Sequence, residues 1–261
     1  MLQEFVHIFN AMLYWISRAA LGMRLHTQHE EKDPVVPALK LTYFDMKGLA
    51  ECTRLTLKYA RIAYEDERLT FDEFAERKTE FPYNQVPIML VDDDVTLAQS
   101  KSILRFASKH ARTYSSKPID AAIMDQWVDA HTDFMTPLVL NMYPERYGVM
   151  QSFNKAEHRK WCIDVHIPRY LEILEKDLSM HDSWLAGMDH LSIADFCWLP
   201  TLEWLKSGIF DGVGDANFEK YEEVTKYMKE ARMHIDDDGE ESNEEEDNTG
   251  EDKTESAKKD E

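Results

Sequence analysis

Leu39-Lys-Leu-Thr-Tyr-Phe44, followed by Asp45-Met-Lys-Gly-Leu-Ala-Glu51, is the stretch on which the fold turns. The first six residues are short and mostly apolar, and they end at Asp45 and Gly48, so they read as a strand. From Gly48 and Ala50 the apolar positions Leu55, Leu57 and Tyr59 carry a helical period, and Tyr64 to Leu69 is extended again. Upstream, Asp33-Pro34 and Pro37 punctuate the chain, because proline ends helix and biases the residue before it toward extended backbone. Downstream come a helical piece over Phe71 to Glu80, a strand from Pro87 to Val91, a turn at Asp92-Asp-Asp94, a short strand from Val95 to Leu97 and a helix from Ser100 to His110. The order is βαβαββα, an α/β unit.

From Ile119 the texture becomes wholly helical, with patterns over Ala121 to Met142, Lys155 to Leu178, Ser192 to Ser207 and Asn217 to His234. Ser192-Ile-Ala-Asp195 has the form of a capping box, and Leu191 and Phe196 stand where a hydrophobic staple would join them. Of the 261 residues, 50 are acidic and 30 basic, a formal charge of −20. Between Asp236 and Glu261 lie 14 acidic residues and three lysines, so this tail alone carries −11. It is too poor in apolar residues to bury anything and reads as disordered over 235–261. The body before it is mildly acidic with no basic stripe, which excludes nucleic acid recognised through its phosphates.

Residues 1–36 form an apolar extension of helical character, with Phe5, Ile8, Phe9, Met12, Leu13, Trp15 and Ile16 crowded together. Glu4, His7 and Asn10 interrupt it short of the ~20 apolar residues a spanning helix needs. Three readings stay open: a helix lying on a membrane or on the body, an organellar presequence using Arg18 and Arg24, and an extension with no targeting role. Cys52, Cys162 and Cys197 are odd in number and lack Cys-x-x-Cys spacing, which fits a reducing, cytoplasmic compartment. Cys162 and Cys197 read as core packing. Cys52 has a lesser case for reactivity from its nearness to the opening stretch. No histidine spacing suggests a metal site.

Several strings, each weak alone, occur in an order that resembles the cytosolic glutathione transferase family: Leu41-Thr-Tyr-Phe44, Gly48-Leu-Ala-Glu51, Gln85-Val-Pro-Ile88, Gln99-Ser100 with Ile103-Leu-Arg-Phe106, and Ser192-Ile-Ala-Asp-Phe196. Thr42-Tyr-Phe-Asp-Met46 with Tyr64-Glu-Asp66 is most similar to the sigma class, which includes glutathione-dependent prostaglandin D synthases. The resemblance covers residues 39 to about 234. It implies a thioredoxin-like, glutathione-binding domain over 37–113, an all-helical domain over 119–234, and a homodimer.

Binding a γ-glutamyl-Cys-Gly tripeptide requires sites for two carboxylates, an ammonium, an extended backbone and a thiol. By resemblance Val86-Pro87 is a cis-proline turn whose backbone pairs with the ligand's cysteine like an added strand. Gln99 and Ser100, at the start of a helix, hold the γ-glutamyl carboxylate where free N–H groups and the dipole favour an anion. Lys78 meets the glycine carboxylate, Phe74 lies beside it, and Gln85 supplies neutral hydrogen bonds where relatives carry Lys. Asp133 reaches the ammonium across the dimer. Tyr43 is the catalytic residue, its hydroxyl directed at the sulfur to favour thiolate over thiol. Phe44, Leu49 and Met135 line the electrophile pocket.

Two departures from the sigma pattern stand out. Leu49 occupies a position where that class carries Arg, and the change either weakens conjugation or enlarges the apolar pocket; Lys47 is a candidate substitute for the charge. The acidic C-terminus replaces an apolar segment that covers the electrophile site in relatives. The expected activity is conjugation of glutathione to small hydrophobic electrophiles. Alternatives are a prostaglandin-type isomerase using the same thiolate, or a non-catalytic binding module on the same fold.

Overall fold

The computed structural model describes residues 37–149, 153–181 and 184–237. The extension over 1–36 and nearly all of the acidic tail lie outside them.

Strand β1 (Leu39–Phe44) is central in a four-stranded sheet of order β2-β1-β3-β4. It pairs in parallel with β2 (Glu65–Leu69) and antiparallel with β3 (Ile88–Val91), which pairs antiparallel with β4 (Val95–Ala98). The parallel pair needs a crossover, supplied by a single 3-10 turn at Gly48–Ala50 running into helix α1 (Glu51–Tyr59). Helix α2 (Phe71–Arg77) begins in a capping box: the Thr70 hydroxyl accepts from the Glu73 amide, and the Glu73 carboxylate accepts from the Thr70 amide. Helix α3 (Ser100–His110) closes this half. Leu39, Leu41 and Tyr43 alternate onto one face of β1 and pack with Leu57, Met89, Ile103 and Ala107. The βαβαββα order is the one expected.

The second half is helical, as expected: α4 (Pro118–Met142), α5 (Lys155–Trp161), α6 (Ile167–Met180), α7 (Ile193–Lys206) and α8 (Glu222–Asp236). Two segments differ from the sequence reading. The single helix expected from Lys155 is interrupted by a π-turn over Cys162–His166, because Pro168 has no N–H to continue the α ladder. The last helix starts at Glu222 rather than Asn217, since Asn217 turns back onto Gly214, accepting its amide through the side chain at 2.9 Å. The capping box at Ser192 is present, and Leu191 and Phe196 are both buried.

One apolar cluster crosses between the halves. Cys52, Leu55 and Leu104 of the first pack with Phe134, Phe196, Trp198 and Tyr227 of the second. The buried area that stabilises each half is therefore partly supplied by the other.

Candidate active site

Tyr43 lies on β1 with 6% of its surface exposed. Its hydroxyl oxygen accepts the backbone N–H of Leu49 at 3.2 Å. The loop that brings this amide round depends on Gly48, whose φ is +44°. A Cβ there would lie 2.7 Å from the Tyr43 hydroxyl oxygen, so only glycine allows the loop to approach so closely. Leu49 thus matters through its backbone; its side chain is 43% exposed.

The cation behind this loop is Arg54, which the sequence reading did not single out. It is buried, donates to the carbonyls of Met46 at 2.8 Å and Lys47 at 3.2 Å, and pairs with Asp66 at 3.1 Å. Its guanidinium carbon sits 5.9 Å from the Tyr43 ring centroid. The signal in sequence was a charged residue on the apolar face of a helix, between Cys52 and Leu55. Lys47 offers Arg54 only its carbonyl. Burial pushes the Tyr43 phenol up, opposed by the Leu49 amide and the charges of Arg54 and Arg146. The net direction is upward, so the hydroxyl keeps its proton at neutral pH. With its oxygen already accepting from Leu49, the proton is available to another acceptor.

Other polar groups named from the sequence are also open. The Val86–Pro87 peptide is cis. Among the described residues neither the N–H nor the C=O of Val86 has a hydrogen-bond partner, so this stretch can receive an extended backbone. Gln99 caps α3 at φ +72°, a conformation rare for a side-chain-bearing residue, and makes no side-chain cap. The amides of Ser100 and Lys101, which no preceding turn can satisfy, have no partner among the described residues. Lys78 is exposed with no partner for its ammonium among the described residues, and Gln85 is exposed. Asp133, on α4, is exposed and has no cation paired with it among those residues.

Phe74 stacks on Phe81 with centroids 5.9 Å apart. It also meets Phe44 edge-on at 5.1 Å. Phe44 in turn lies edge-on to Tyr43 at 5.3 Å, giving an aromatic wall beside the hydroxyl. Met135 is half-buried against the helical core. Two surface hollows, of about 450 and 590 Å³, lie along α5 and α6 and include none of these residues. No group of three His, Cys, Asp or Glu side chains able to hold a metal occurs among the described residues, and no described helix is long and apolar enough to cross a membrane.

Comparison with known proteins follows the same division. The family model for the glutathione S-transferase N-terminal domain matches residues 39–109, and that for the C-terminal domain matches residues 132–234. Glutathione S-transferase 1 of Ascaris suum is 31% identical over 77% of this chain and 96% of its own length. Hematopoietic prostaglandin D synthase of Gallus gallus is 38% identical over 62% of this chain and 77% of its own. Among solved structures, prostaglandin synthase D of Nilaparvata lugens superposes with a TM-score of 0.64 at 25% identity, covering 75% of this chain and 92% of that one. With both domain models matched in order on a βαβαββα half and a helical half, the chain belongs to the glutathione S-transferase family.

Proposed function

We propose that this protein binds glutathione, holds its thiol as a thiolate against Tyr43, and transfers it to small hydrophobic electrophiles. The observation that carries the reading is the hydrogen bond from the Leu49 amide to the Tyr43 oxygen. It leaves the phenol as a donor: one lone pair of its oxygen is engaged and its proton is retained. A hydrogen bond donated to sulfur stabilises thiolate over thiol, and each unit by which the thiol falls below its ordinary value of about 8.5 corresponds to about 1.4 kcal/mol. The thiolate then attacks the electrophile, its S–C bond forming as the leaving group departs.

The open groups match the tripeptide part by part. Val86 pairs with its cysteine backbone, the α3 amides with Gln99 and Ser100 take the γ-glutamyl carboxylate, and Lys78 takes the glycine carboxylate, with Gln85 and Phe74 beside it. Phe44, Leu49 and Met135 receive the electrophile. Arg54 replaces the cation missing at position 49 by holding the loop and placing positive charge under the phenol. Asp133, exposed and uncompensated, serves the ammonium of a ligand bound to the second copy of a homodimer in the cytoplasm.

The test is Tyr43→Phe, read by thiolate absorbance of bound glutathione against pH. The titration is expected to move up toward about 8.5 and turnover of a chloronitrobenzene electrophile to fall about 100-fold. An unmoved titration curve ends the assignment. Because the Gallus gallus synthase is 38% identical, the same variant is to be assayed on a prostaglandin endoperoxide, where isomerisation by the wild type without conjugation would favour the isomerase reading.

A further inference from the structure

Away from Tyr43, four side chains converge at the interface between the two halves. The Lys101 ammonium of α3 lies 2.7 Å from the Cys197 sulfur of α7 and 3.0 Å from Nδ1 of His131 on α4. The other ring nitrogen of His131 is 2.7 Å from the Thr201 hydroxyl. Cys52, on α1, reaches the same point, its thiol donating to the Cys197 backbone carbonyl at 3.7 Å. Both cysteines are buried, while Lys101 keeps part of its surface exposed. Family membership does not call for this arrangement: a buried lysine against a buried cysteine has no part in the transfer chemistry proposed above.

We propose that Cys197 and Cys52 form a hydroperoxide-sensitive thiol pair, activated by Lys101, that closes into a disulfide joining the two domains. Burial alone would push the Cys197 thiol up, but the neighbouring Cys52 thiol and the Lys101 ammonium more than offset it and hold it well below its ordinary value. The groups facing it are Lys101 from α3, His131 from α4, Cys52 from α1 and Tyr227 from α8, with Arg105 acting on Lys101 and Glu51 on Cys52. Burial keeps His131 neutral, so Lys101 is the counter-ion.

The Cys197 thiolate attacks the terminal oxygen of a hydroperoxide. The S–O bond forms, the O–O bond breaks, and the departing alkoxide or hydroxide takes a proton from Lys101. The free amine then accepts the Cys52 proton. The Cys52 thiolate attacks the sulfenic sulfur, the S–S bond forms, and the departing hydroxide leaves as water with that proton; solvent reprotonates Lys101. Two thiols are oxidised, and one hydroperoxide is reduced to an alcohol (water, for hydrogen peroxide) and one further water.

Cys162 is the internal control. It is buried, burial pushes its thiol up to about 11, and its nearest basic group, Nδ1 of His158, is 3.8 Å away. The full chain is treated with hydrogen peroxide, alkylated and mapped without reduction by mass spectrometry. A linked Cys52–Cys197 peptide is expected, reversed by dithiothreitol, with Cys162 alkylated. In Cys52→Ser, dimedone is expected to capture a sulfenic acid at Cys197. Recovery of both cysteines as free thiols, or of Cys197 as sulfinic acid with Cys52 free, overturns the proposal. In Lys101→Met cross-linking at neutral pH is expected to slow about tenfold or more and to recover as pH rises, because only thiolate reacts. An unchanged rate removes Lys101 from the site. None of these readouts depends on transferase activity, so they stand or fall apart from the role of Tyr43.

Discussion

Around Tyr43 the chain leaves polar groups open, whereas around Asp195 and Cys197 it closes them on one another. The Val86 backbone, the first amides of α3, Lys78 and Asp133 have no partners among the described residues, and Lys78 and Asp133 are exposed. Asp195, fully buried at the start of α7, accepts from the Ser192 amide at 2.7 Å, the Ser192 hydroxyl at 2.9 Å and the Leu185 amide at 3.0 Å. The difference separates two uses of polarity. A buried polar group without a partner costs more than its hydrogen bond returns, so the donors around Asp195 are met by its carboxylate, and groups left open at the surface are the ones free to recognise something else.

Removing Asp195 is the strongest way to break that comparison. Asp195→Ala strands three buried donors and is expected to cost on the order of 3 kcal/mol or more in denaturant unfolding. A loss under about 1 kcal/mol would put Asp195 with the open groups. Burial, against those three donors, pushes its carboxyl up to about 6. A raised value in the folded state means that this group's contribution is whole below the unfolded value of about 3.9 and is lost as pH rises toward 6. The stability gap between wild type and variant should therefore shrink from pH 4 to pH 7.

Gly48→Ala tests the boundary between the two regions, since the loop is structural while the hydroxyl it touches is the one proposed to act on the thiol. Strain at positive φ and the contact with Tyr43 are expected to cost about 1–3 kcal/mol. The phenol must also move off its geometry, so the thiolate titration should shift upward along with the loss of stability. A variant with lowered stability and an unmoved titration would show that the loop does not position the hydroxyl. The smallest expected effect is Asp133→Ala, measured by calorimetric titration of glutathione and by sedimentation. Unfolding should stay within about 0.5 kcal/mol of wild type, with glutathione affinity reduced several-fold and the dimer intact. Unchanged affinity removes the cross-subunit role.

Much of this was legible before any coordinates. The strand at Leu39–Phe44, the capping box at Ser192 and the helix beginning at Ser100 depend on local rules of period, capping and turn chemistry, and those rules act over a few residues. The π-turn at Cys162–His166 was missed although its cause, Pro168, is printed in the chain, because a periodic apolar pattern continues across it. Arg54 was missed for another reason. Its partners are two loop carbonyls and Asp66 on the neighbouring strand, so its role exists only once β1 and β2 are paired.

By itself, then, the sequence determined the order of elements, the family and the identity of Tyr43 as the residue to watch, since these follow from local pattern and from strings in a recognisable order. Tertiary structure alone decided that the Leu49 amide meets the Tyr43 oxygen, that Arg54 lies beside the Tyr43 ring, and that Cys52, Lys101, His131 and Cys197 meet at one point. The physical reason is range. Propensity and capping are set by neighbours in the chain, whereas hydrogen-bond partners and the charges that shift a titration are set by neighbours in space. Cys52 and Cys197, 145 residues apart in sequence, become neighbours only when the two halves bury a common core.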